Sequence, residues 1–264
     1  MKMTPSASLL MLLLLSLSQA HPLQRKENKE GDGIDTVDIT TRILTTNEVA
    51  NETLLEGDVL IPRTRSAKIC LDQSCRWKKS SNGLVMIPFT INSDFTSTDR
   101  QVISQAMQAF HSTTCIRFVP HQNEKDYISI ENQGGCFSPL GRMGGKQVLS
   151  LNRQGCIYQG VAEHELNHAL GFVHEHTRSD RDNYVRINWE NTDPQQAYNF
   201  DKSSTDNLDT PYDYSSIMHY GKTAFSVNGW DTITPIPDSD IQIGQINGLS
   251  QWDIFRINKL YSCE

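Results

Sequence analysis

The stretch that decides the fold of this chain is His164-Glu165-Leu166-Asn167-His168-Ala169-Leu170-Gly171-Phe172-Val173-His174. Two histidines four residues apart lie on one face of a helix, one turn from each other, so both imidazoles can bind a single zinc ion. Gly171 allows the helix to end, because glycine adopts left-handed backbone angles without steric penalty. The chain can then turn back and bring His174 to the metal. Three neutral nitrogen ligands and one open position indicate a catalytic zinc site rather than a structural one.

Glu165 follows the first ligand and is positioned to take a proton from a zinc-bound water. The alternative interpretation is an amphipathic core helix whose histidines only make local hydrogen bonds. The pattern is similar to that of the metzincins, whose second mark is a methionine turn further along the chain. Ser216-Ile217-Met218-His219-Tyr220 matches that mark and favours the zinc interpretation.

The first 20 residues have the pattern of a secretory signal peptide. Lys2 precedes the unbroken apolar run Leu9–Leu15, and Ser18-Gln19-Ala20 supplies small residues for cleavage after Ala20. The apolar run is too short to span a bilayer. We therefore expect a secreted product without a membrane partner.

Residues 21–65 differ in composition from the rest of the chain. They contain 6 Lys/Arg against 9 Asp/Glu, a net charge of −3, and no clear apolar period, which predicts an extended or loosely ordered segment. They include the glycosylation sequon Asn51-Glu52-Thr53. The sequence around Arg65–Ser66 predicts removal of residues 21–65 as an activation propeptide by a trypsin-like protease. The alternative is a solvated loop with two charges.

Residues 66–264 form the predicted catalytic domain. They contain 17 Lys/Arg against 22 Asp/Glu, a net charge of −5, which argues against nucleic acid or an anionic membrane as a partner. The chain has six cysteines, and an even number in a secreted protein predicts three disulfides. Spacing alone does not choose among the 15 possible pairings. A second metal cluster is the alternative.

The pattern of elements predicts an α+β fold. An upper lobe combines a mixed sheet with two long helices, and an irregular lower lobe ends in a helix that Ser250 can cap. We expect the first long helix to be capped by Thr98 and Gln101, and Pro88 to mark an edge or a bend of its strand. The predicted strands are 84–91, 116–119, 127–130 and 147–151, and the zinc helix is 161–170.

These residues together resemble the astacin family of zinc endopeptidases over about residues 66–264. The extended motif His164–Glu175 contains Phe172 and a glutamate after the third histidine, and the methionine turn ends in Tyr220. The closely spaced Cys70 and Cys75 resemble those of the fish hatching enzymes within this family.

The resemblance implies one zinc ion per chain, with His164, His168 and His174 as ligands. It implies that Tyr220 is a weak extra ligand that swings away and hydrogen-bonds the oxyanion. Glu165 would be the general base and then the proton shuttle to the leaving amine. Met218 would lie beneath the ligands as a packing base, which differs little from an ordinary core methionine.

The resemblance also implies the disulfide pairs Cys70–Cys75, Cys115–Cys263 and Cys136–Cys156. It implies latency, because Asp58 in Leu55-Glu56-Gly57-Asp58 matches an aspartate that binds the zinc in astacin propeptides, with Leu55 at the place of a phenylalanine. The alternative is a Gly-Asp turn in a loose segment. In the family the freed N-terminal ammonium contacts the residue equivalent to Glu175, which could instead be a helix-exit charge.

The expected function is that of a secreted endopeptidase, stored in granules as a zymogen, that digests egg-envelope glycoproteins. The substrate is expected to bind as an extended strand at a sheet edge near Gly135–Gly141. An astacin with digestive or immune-cell substrates is the nearest alternative. An inactive binding protein stabilised by zinc is a further one.

Overall fold

The structure, a computed structural model, describes residues 37–61 and 75–263. The predicted signal peptide, the Arg65–Ser66 cleavage site and Cys70 lie outside these residues. The helices are α1 (Ile39–Asn47), α2 (Ser97–Thr113), α3 (Gln159–Leu170) and α4 (Gln251–Leu260). The strands are β1 (Leu54–Leu55), β2 (Val59–Leu60), β3 (Val85–Ile91), β4 (Ile116–Pro120), β5 (Tyr127–Glu131), β6 (Cys136–Phe137), β7 (Lys146–Leu151), β8 (Val185–Ile187) and β9 (Ile233–Pro235). None of the helices in the described ranges is both long and apolar enough to cross a membrane.

A five-stranded mixed sheet in the order β4-β3-β5-β7-β6 forms the upper lobe. All its pairs are parallel except β6 with β7, so β6 is an antiparallel edge strand. Ile87, Ile130 and Leu149 are fully buried, in one hydrophobic core with Phe110 of α2 and Leu166 of α3. Burying one face of a helix and one face of a sheet together is the main source of stability in such a layer. The predicted α+β class is confirmed.

Pro88 lies in β3, which is an interior strand, so the prediction of an edge strand is wrong. The N–H of Val85 donates toward β4, to Cys115 O at 3.0 Å, whereas that of Asn92 donates toward β5, to Ile130 O at 3.0 Å. Since successive main-chain nitrogens point to opposite sides of a strand, the nitrogen of Pro88 faces β5. Pairing of β3 with β5 begins only at Phe89. Proline therefore occupies a position at which no ladder donor is needed.

The cap of α2 is formed by Thr96 and Asp99, not by Thr98 and Gln101. Thr96 N–H donates to Asp99 Oδ2 at 2.8 Å, and Asp99 N–H donates to Thr96 Oγ1 at 3.2 Å. A carboxylate is favoured over an amide at this position because it also faces the positive end of the helix dipole. Ser250 caps α4 in the same way, as predicted, with Asp253 as its partner.

Residues 37–61, here called the N-terminal segment, are ordered, which corrects the prediction of a loose stretch. Asp38 caps α1 by accepting the N–H of Thr41 at 3.0 Å, and Ile39 and Ile43 are buried one turn apart. Ile39 N–H donates to Gly244 O at 3.0 Å. A helix of nine residues is marginal alone. Two buried apolar side chains supply too weak a period to be detected in sequence, so packing on the catalytic lobes decides this structure.

The lower lobe is irregular, as expected, and contains short 3₁₀ turns and a two-stranded antiparallel sheet of β8 and β9. It has its own small core around Val185, Phe200 and Ile233. Helix α4 returns to the upper lobe, where Ile257 joins the main core. The two lobes are thus connected by the end of the chain.

Two disulfides join described cysteines. Cys115–Cys263 ties the residue before β4 to a residue just after α4, and Cys136–Cys156 ties the edge strand to the loop before α3. Both pairs are those that the resemblance implies. Cys75 is buried and forms no disulfide with another described cysteine. Because Cys70 lies outside the described residues, the Cys70–Cys75 bond stays a prediction.

Replacing both Cys115 and Cys263 with serine should destabilise the protein more than replacing Cys136 and Cys156. The cysteines of the first pair are 148 residues apart and those of the second 20. The chain-entropy model gives losses of about 5 and about 3 kcal/mol respectively. Urea unfolding of the two double variants measures the difference. Equal losses would show that native-state contacts, not loop closure, set the contribution of each disulfide.

Candidate active site

Helix α3 carries His164, Glu165 and His168, and all three side chains are buried. The helix ends at Gly171, whose φ of 106° requires a residue without a Cβ. Its last carbonyl groups are not left unpaired. Trp77 Nε1 donates to Ala169 O at 2.9 Å, and Tyr261 Oη donates to Leu170 O at 2.8 Å. These bonds from distant parts of the chain fix the end of the helix and the turn toward His174.

The Nδ1 atom of each of the three imidazoles is held by an oxygen acceptor. His164 Nδ1 donates to Ile217 O at 2.8 Å, and His168 Nδ1 donates to Phe172 O at 2.8 Å. His174 Nδ1 donates to Glu56 Oε2 at 2.7 Å. A neutral ring that donates from Nδ1 has a lone pair on Nε2, so in their neutral forms the three rings direct their Nε2 lone pairs at one point.

The distances between these atoms fit a tetrahedral zinc ion. His164 Nε2 lies 3.1 Å from His168 Nε2 and 3.2 Å from His174 Nε2. Asp58 Oδ2 lies 3.1 Å from His164 Nε2 and 3.3 Å from His174 Nε2. Zinc–nitrogen bonds of about 2.0–2.1 Å correspond to tetrahedron edges of about 3.3–3.4 Å. These four buried residues form a zinc-binding site with three imidazoles and one carboxylate.

The electrostatics of the cluster also favour a cation. Burial opposes a charge on His174, but the Asp58 and Glu56 carboxylates outweigh it and raise the pKa of His174 to about 9. Lone pairs and carboxylates directed at one buried point repel each other unless a positive charge lies between them. The donor set therefore fits the zinc ion predicted from the sequence.

The Glu165 carboxylate is fully buried, and neither oxygen has a hydrogen-bond partner among the described residues. Burial, and then the nearby negative charge of Asp58, raise the pKa of Glu165 well above its usual range. A buried carboxyl group without a partner is costly, and such groups are common at functional sites. This arrangement suits a group that exchanges a proton with a bound molecule.

Asp58 reaches the cluster from the tip of the hairpin formed by β1 and β2, here called the N-terminal hairpin (residues 54–60). Glu56 and Gly57 have φ values of 51° and 79°, so two successive left-handed residues make the turn. A Cβ at position 57 would overlap Leu44 Cδ2, which is a second reason for glycine there. The turn directs the carboxylates of both Glu56 and Asp58 inward. Leu55 is 38% exposed, so docking of the hairpin does not depend on it.

The N-terminal hairpin also occupies the sheet edge that was predicted to bind substrate. Leu60 N–H donates to Ser138 O at 2.9 Å, and Ser138 N–H donates to Asp58 O at 3.1 Å. The bridge between Val59 and Ser138 is parallel. Ser138 continues β6 within the predicted range Gly135–Gly141. The segment therefore uses main-chain groups that an extended peptide could otherwise bind.

Asn47, the last residue of α1, makes a second set of contacts at this edge. Its Nδ2 donates to Gly57 O and to Cys136 O, both at 2.8 Å, and its Oδ1 accepts Cys136 N–H at 2.6 Å. The side-chain amide thus pairs with both main-chain groups of Cys136, as a neighbouring strand would. It also holds the residue that precedes Asp58.

Tyr220 is buried next to the cluster, and its hydroxyl donates to the main-chain oxygen of Glu56. The N-terminal hairpin therefore engages the phenol that was predicted to be a weak ligand and oxyanion partner. Met218 is buried in the main core. Its carbonyl accepts Glu175 N–H at 3.0 Å, so the methionine turn supports both His164, through Ile217 O, and the chain after His174.

Glu175 is buried and paired with Arg256 of α4. Its Oε2 accepts from Arg256 Nη1 at 2.7 Å, its Oε1 accepts from Arg256 Nη2 at 2.9 Å, and Oε1 also accepts Asp213 N–H at 2.7 Å. Burial raises the pKa of Glu175 to about 7, although Arg256 and Arg178 oppose this. The alternative of a plain helix-exit charge does not fit such a buried network. Its predicted contact with a freed N-terminus stays a prediction, because residues 62–74 lie outside the described ranges.

Sequence reasoning missed two residues of this site. Glu56 was quoted within the motif around Asp58, but a sequence does not show that a left-handed turn directs it at His174. Asn47 was missed because its helix was not predicted. The signal that could have found it is Asp38, a capping residue placed directly before the periodic pair Ile39 and Ile43.

Comparison with known proteins agrees with this geometry. Residues 72–262 match the family model described as Astacin, a peptidase family. The chain is 57% identical over 269 residues to high choriolytic enzyme 1 of Oryzias latipes, with 100% of both chains covered. It is 49% identical over 271 residues to the low choriolytic enzyme of the same fish, again with both chains fully covered.

A solved structure of high choriolytic enzyme 1, described as a hatching enzyme zinc-protease from medaka, is also similar. It superposes with a TM-score of 0.72 at 61% sequence identity and covers 74% of this chain and 98% of its own. The family match covers most of the chain and contains the three histidines of the zinc-binding cluster. Asp58, the fourth member of the cluster, lies before the matched range. The chain therefore belongs to the astacin family and is a zinc metalloendopeptidase.

Proposed function

We propose that this astacin is a secreted hatching protease, made as a zymogen, that digests egg-envelope proteins after activation. The observation that carries the proposal is the full-length identity of 57% to a choriolytic enzyme, combined with a zinc cluster whose ligands are all in position. The match extends over the N-terminal segment as well as the catalytic lobes. The substrate class is protein, and the envelope is the specific substrate proposed.

The chemistry follows from the positions of the side chains. His164, His168 and His174 would hold the zinc ion, which would supply polarisation of water and of the scissile carbonyl. Glu165, which has no other partner among the described residues, accepts a proton from the attacking water and passes it to the leaving amine. The Tyr220 hydroxyl, once released from Glu56, donates to the oxyanion. A desolvated site strengthens each of these interactions.

Three contacts of the N-terminal segment support latency. Asp58 takes the fourth position of the zinc cluster, Glu56 engages His174 and Tyr220, and Asn47 pairs with Cys136 on the substrate edge. Each removes a group that catalysis needs. We therefore divide the chain into a signal peptide (1–20), a propeptide (21–65) and a catalytic domain (66–264).

Activation requires that these contacts be released. A trypsin-like protease is proposed to cut at Arg65–Ser66, which frees the new N-terminus to reach the network of Glu175 and Arg256. Release of Asp58 then removes a carboxylate from the point that the three histidines face. Secretion as an inactive form from storage granules is proposed, because the contacts of the N-terminal segment would keep the protease silent until it is cut.

Glu165→Gln should lower kcat/KM of the activated enzyme by about 10²–10⁴-fold, because an amide cannot accept the proton. The activity is measured on a fluorogenic peptide, and zinc content by elemental analysis. Zinc content should stay at one ion per chain, since Glu165 is not a ligand. Unchanged hydrolysis by the variant would rule out the general-base role, and activity that survives a strong chelator would rule out the metal mechanism.

Asp58→Ala should give an uncleaved zymogen with measurable peptidase activity, because the fourth zinc position becomes available. The same fluorogenic peptide measures it, and the unmodified zymogen is the reference. A variant zymogen as silent as the reference would show that Asp58 is not needed for latency.

Asn47→Ala should weaken binding of the N-terminal segment by roughly 10-fold or more, since three hydrogen bonds, each worth about 1 kcal/mol, are lost. The readout is the inhibition constant of a synthetic peptide of residues 37–61 against the activated enzyme. Glu48→Ala, at the exposed end of the same helix, is the matched control. Equal inhibition by the Asn47→Ala and unmodified peptides would contradict this role.

Isolated fish egg envelopes treated with the trypsin-activated enzyme should release soluble fragments or swell, whereas the zymogen should do neither. Sequencing the fragments and the new N-terminus of the enzyme identifies the scissile bonds and the activation site. Casein, which a digestive astacin would also hydrolyse, serves as the comparison substrate. Hydrolysis of casein without any effect on envelopes would favour the digestive alternative.

A further inference from the structure

His176 is a fully buried histidine two residues after the third zinc ligand, and the zinc cluster does not include it. It lies in the short 3₁₀ turn Glu175–Thr177. Its Nε2 donates to Asn199 O at 3.0 Å, so its Nδ1 carries the lone pair. That Nδ1 is buried and has no hydrogen-bond partner among the described residues. A phenylalanine or leucine would fill this space without leaving a buried acceptor unpaired, so the imidazole needs an explanation.

The ring of His176 stacks on the ring of Tyr220. Their centroids are 3.8 Å apart with an interplanar angle of 30°, which is nearer than the contacts of Tyr220 with His174 (4.6 Å) or Phe225 (6.1 Å). The Phe200 ring makes T-shaped contacts with both, and its centroid lies 5.7 Å from that of His176 and 6.3 Å from that of Tyr220. His176 is therefore the main surface on which the flat face of Tyr220 rests.

The position of the His176 ring is itself fixed from two sides. The side chain is held by Asn199 O, and the main-chain oxygen accepts from Arg181 Nη1 at 2.9 Å. By contrast, the hydroxyl of Tyr220 donates to Glu56, a residue of the segment that activation releases. After release, the ring contact with His176 remains while the hydroxyl loses this partner.

We propose that His176 is a positioning residue for Tyr220, which keeps the phenol within reach of the oxyanion after the N-terminal segment has left. This inference rests on the proposed role of Tyr220 in catalysis. A stacked, hydrogen-bonded platform lets the phenol move in the plane of its ring but prevents it from tilting away. The contribution of His176 is thus expressed in the transition state, through the Tyr220 hydroxyl, and not in zinc binding or substrate binding.

The test is a double-mutant cycle on the trypsin-activated enzyme with a fluorogenic peptide. His176→Ala should lower kcat by about 10-fold or more with KM changed by less than about 2-fold, because a transition-state contact is weakened. In a Tyr220→Phe background the same substitution should lower kcat by less than about 2-fold, since the group that it positions is gone. The same factor in both backgrounds would overturn the proposal, because His176 would then act independently of the phenol.

Further measurements and variants separate the possible outcomes of this cycle. Zinc content and near-UV circular dichroism identify a general structural loss. If His176→Ala does not fold, the cycle is measured with His176→Leu, which fills the space but removes both the flat ring and the Asn199 bond. His111→Ala, which removes a histidine stacked on Phe118 away from the site, should show no coupling to Tyr220. If Tyr220→Phe alone leaves kcat unchanged, the catalytic role of Tyr220 fails and the inference fails with it. If Tyr220→Phe lowers kcat but the cycle is additive, only the inference fails.

Discussion

The arrangement of three imidazole lone pairs around one buried point is the constraint on which the rest of this structure depends. Each ring is oriented by a hydrogen bond from Nδ1 to a different part of the chain: the methionine turn, the residue after Gly171 and the N-terminal hairpin. Elements far apart in sequence therefore orient the three ligands, and two of these contacts, those of His164 and His168, do not involve the N-terminal segment. Trp77, Tyr261 and the Cys115–Cys263 bond, which act on the ends of α3 and α4, contribute to that placement.

The N-terminal hairpin binds at the same point that the three imidazoles face. It supplies a carboxylate where the cluster needs one more ligand, and it satisfies the phenol and the sheet edge at the same time. These contacts are short-range and polar, and they are made by a segment whose helix has only two buried apolar side chains. The segment can therefore bind specifically without being a large part of the hydrophobic core, which fits its proposed release on activation.

The zinc ligands, Glu165 and the α+β class could be predicted because they depend on local spacing and on strong periodic patterns. Tyr220 could be named from its motif, but its partner could not, because Glu56 lies 164 residues earlier in the chain. The cap of α2 was predicted two residues too far along the chain, because Thr96 and Thr98 are both plausible capping residues. Pro88 was wrongly assigned to an edge strand because β3, although it lies inside the sheet, pairs with β5 only from Phe89 onward. Helix α1, with Asn47 at its end, was missed because tertiary contacts outweigh weak local propensity.

The N-cap of α1 has a consequence for how the chain can vary. Asp38 packs directly against the backbone of Gly221, the residue after Tyr220, so closely that a side chain there would overlap its carboxylate, and Gly221 N–H donates to Thr40 Oγ1 at 2.9 Å. A side chain at position 221 would have to displace the Asp38 carboxylate, which caps the helix. A change at position 221, in the catalytic lobes, therefore acts on the N-terminal segment as well, so the two parts of the chain do not vary independently at this contact.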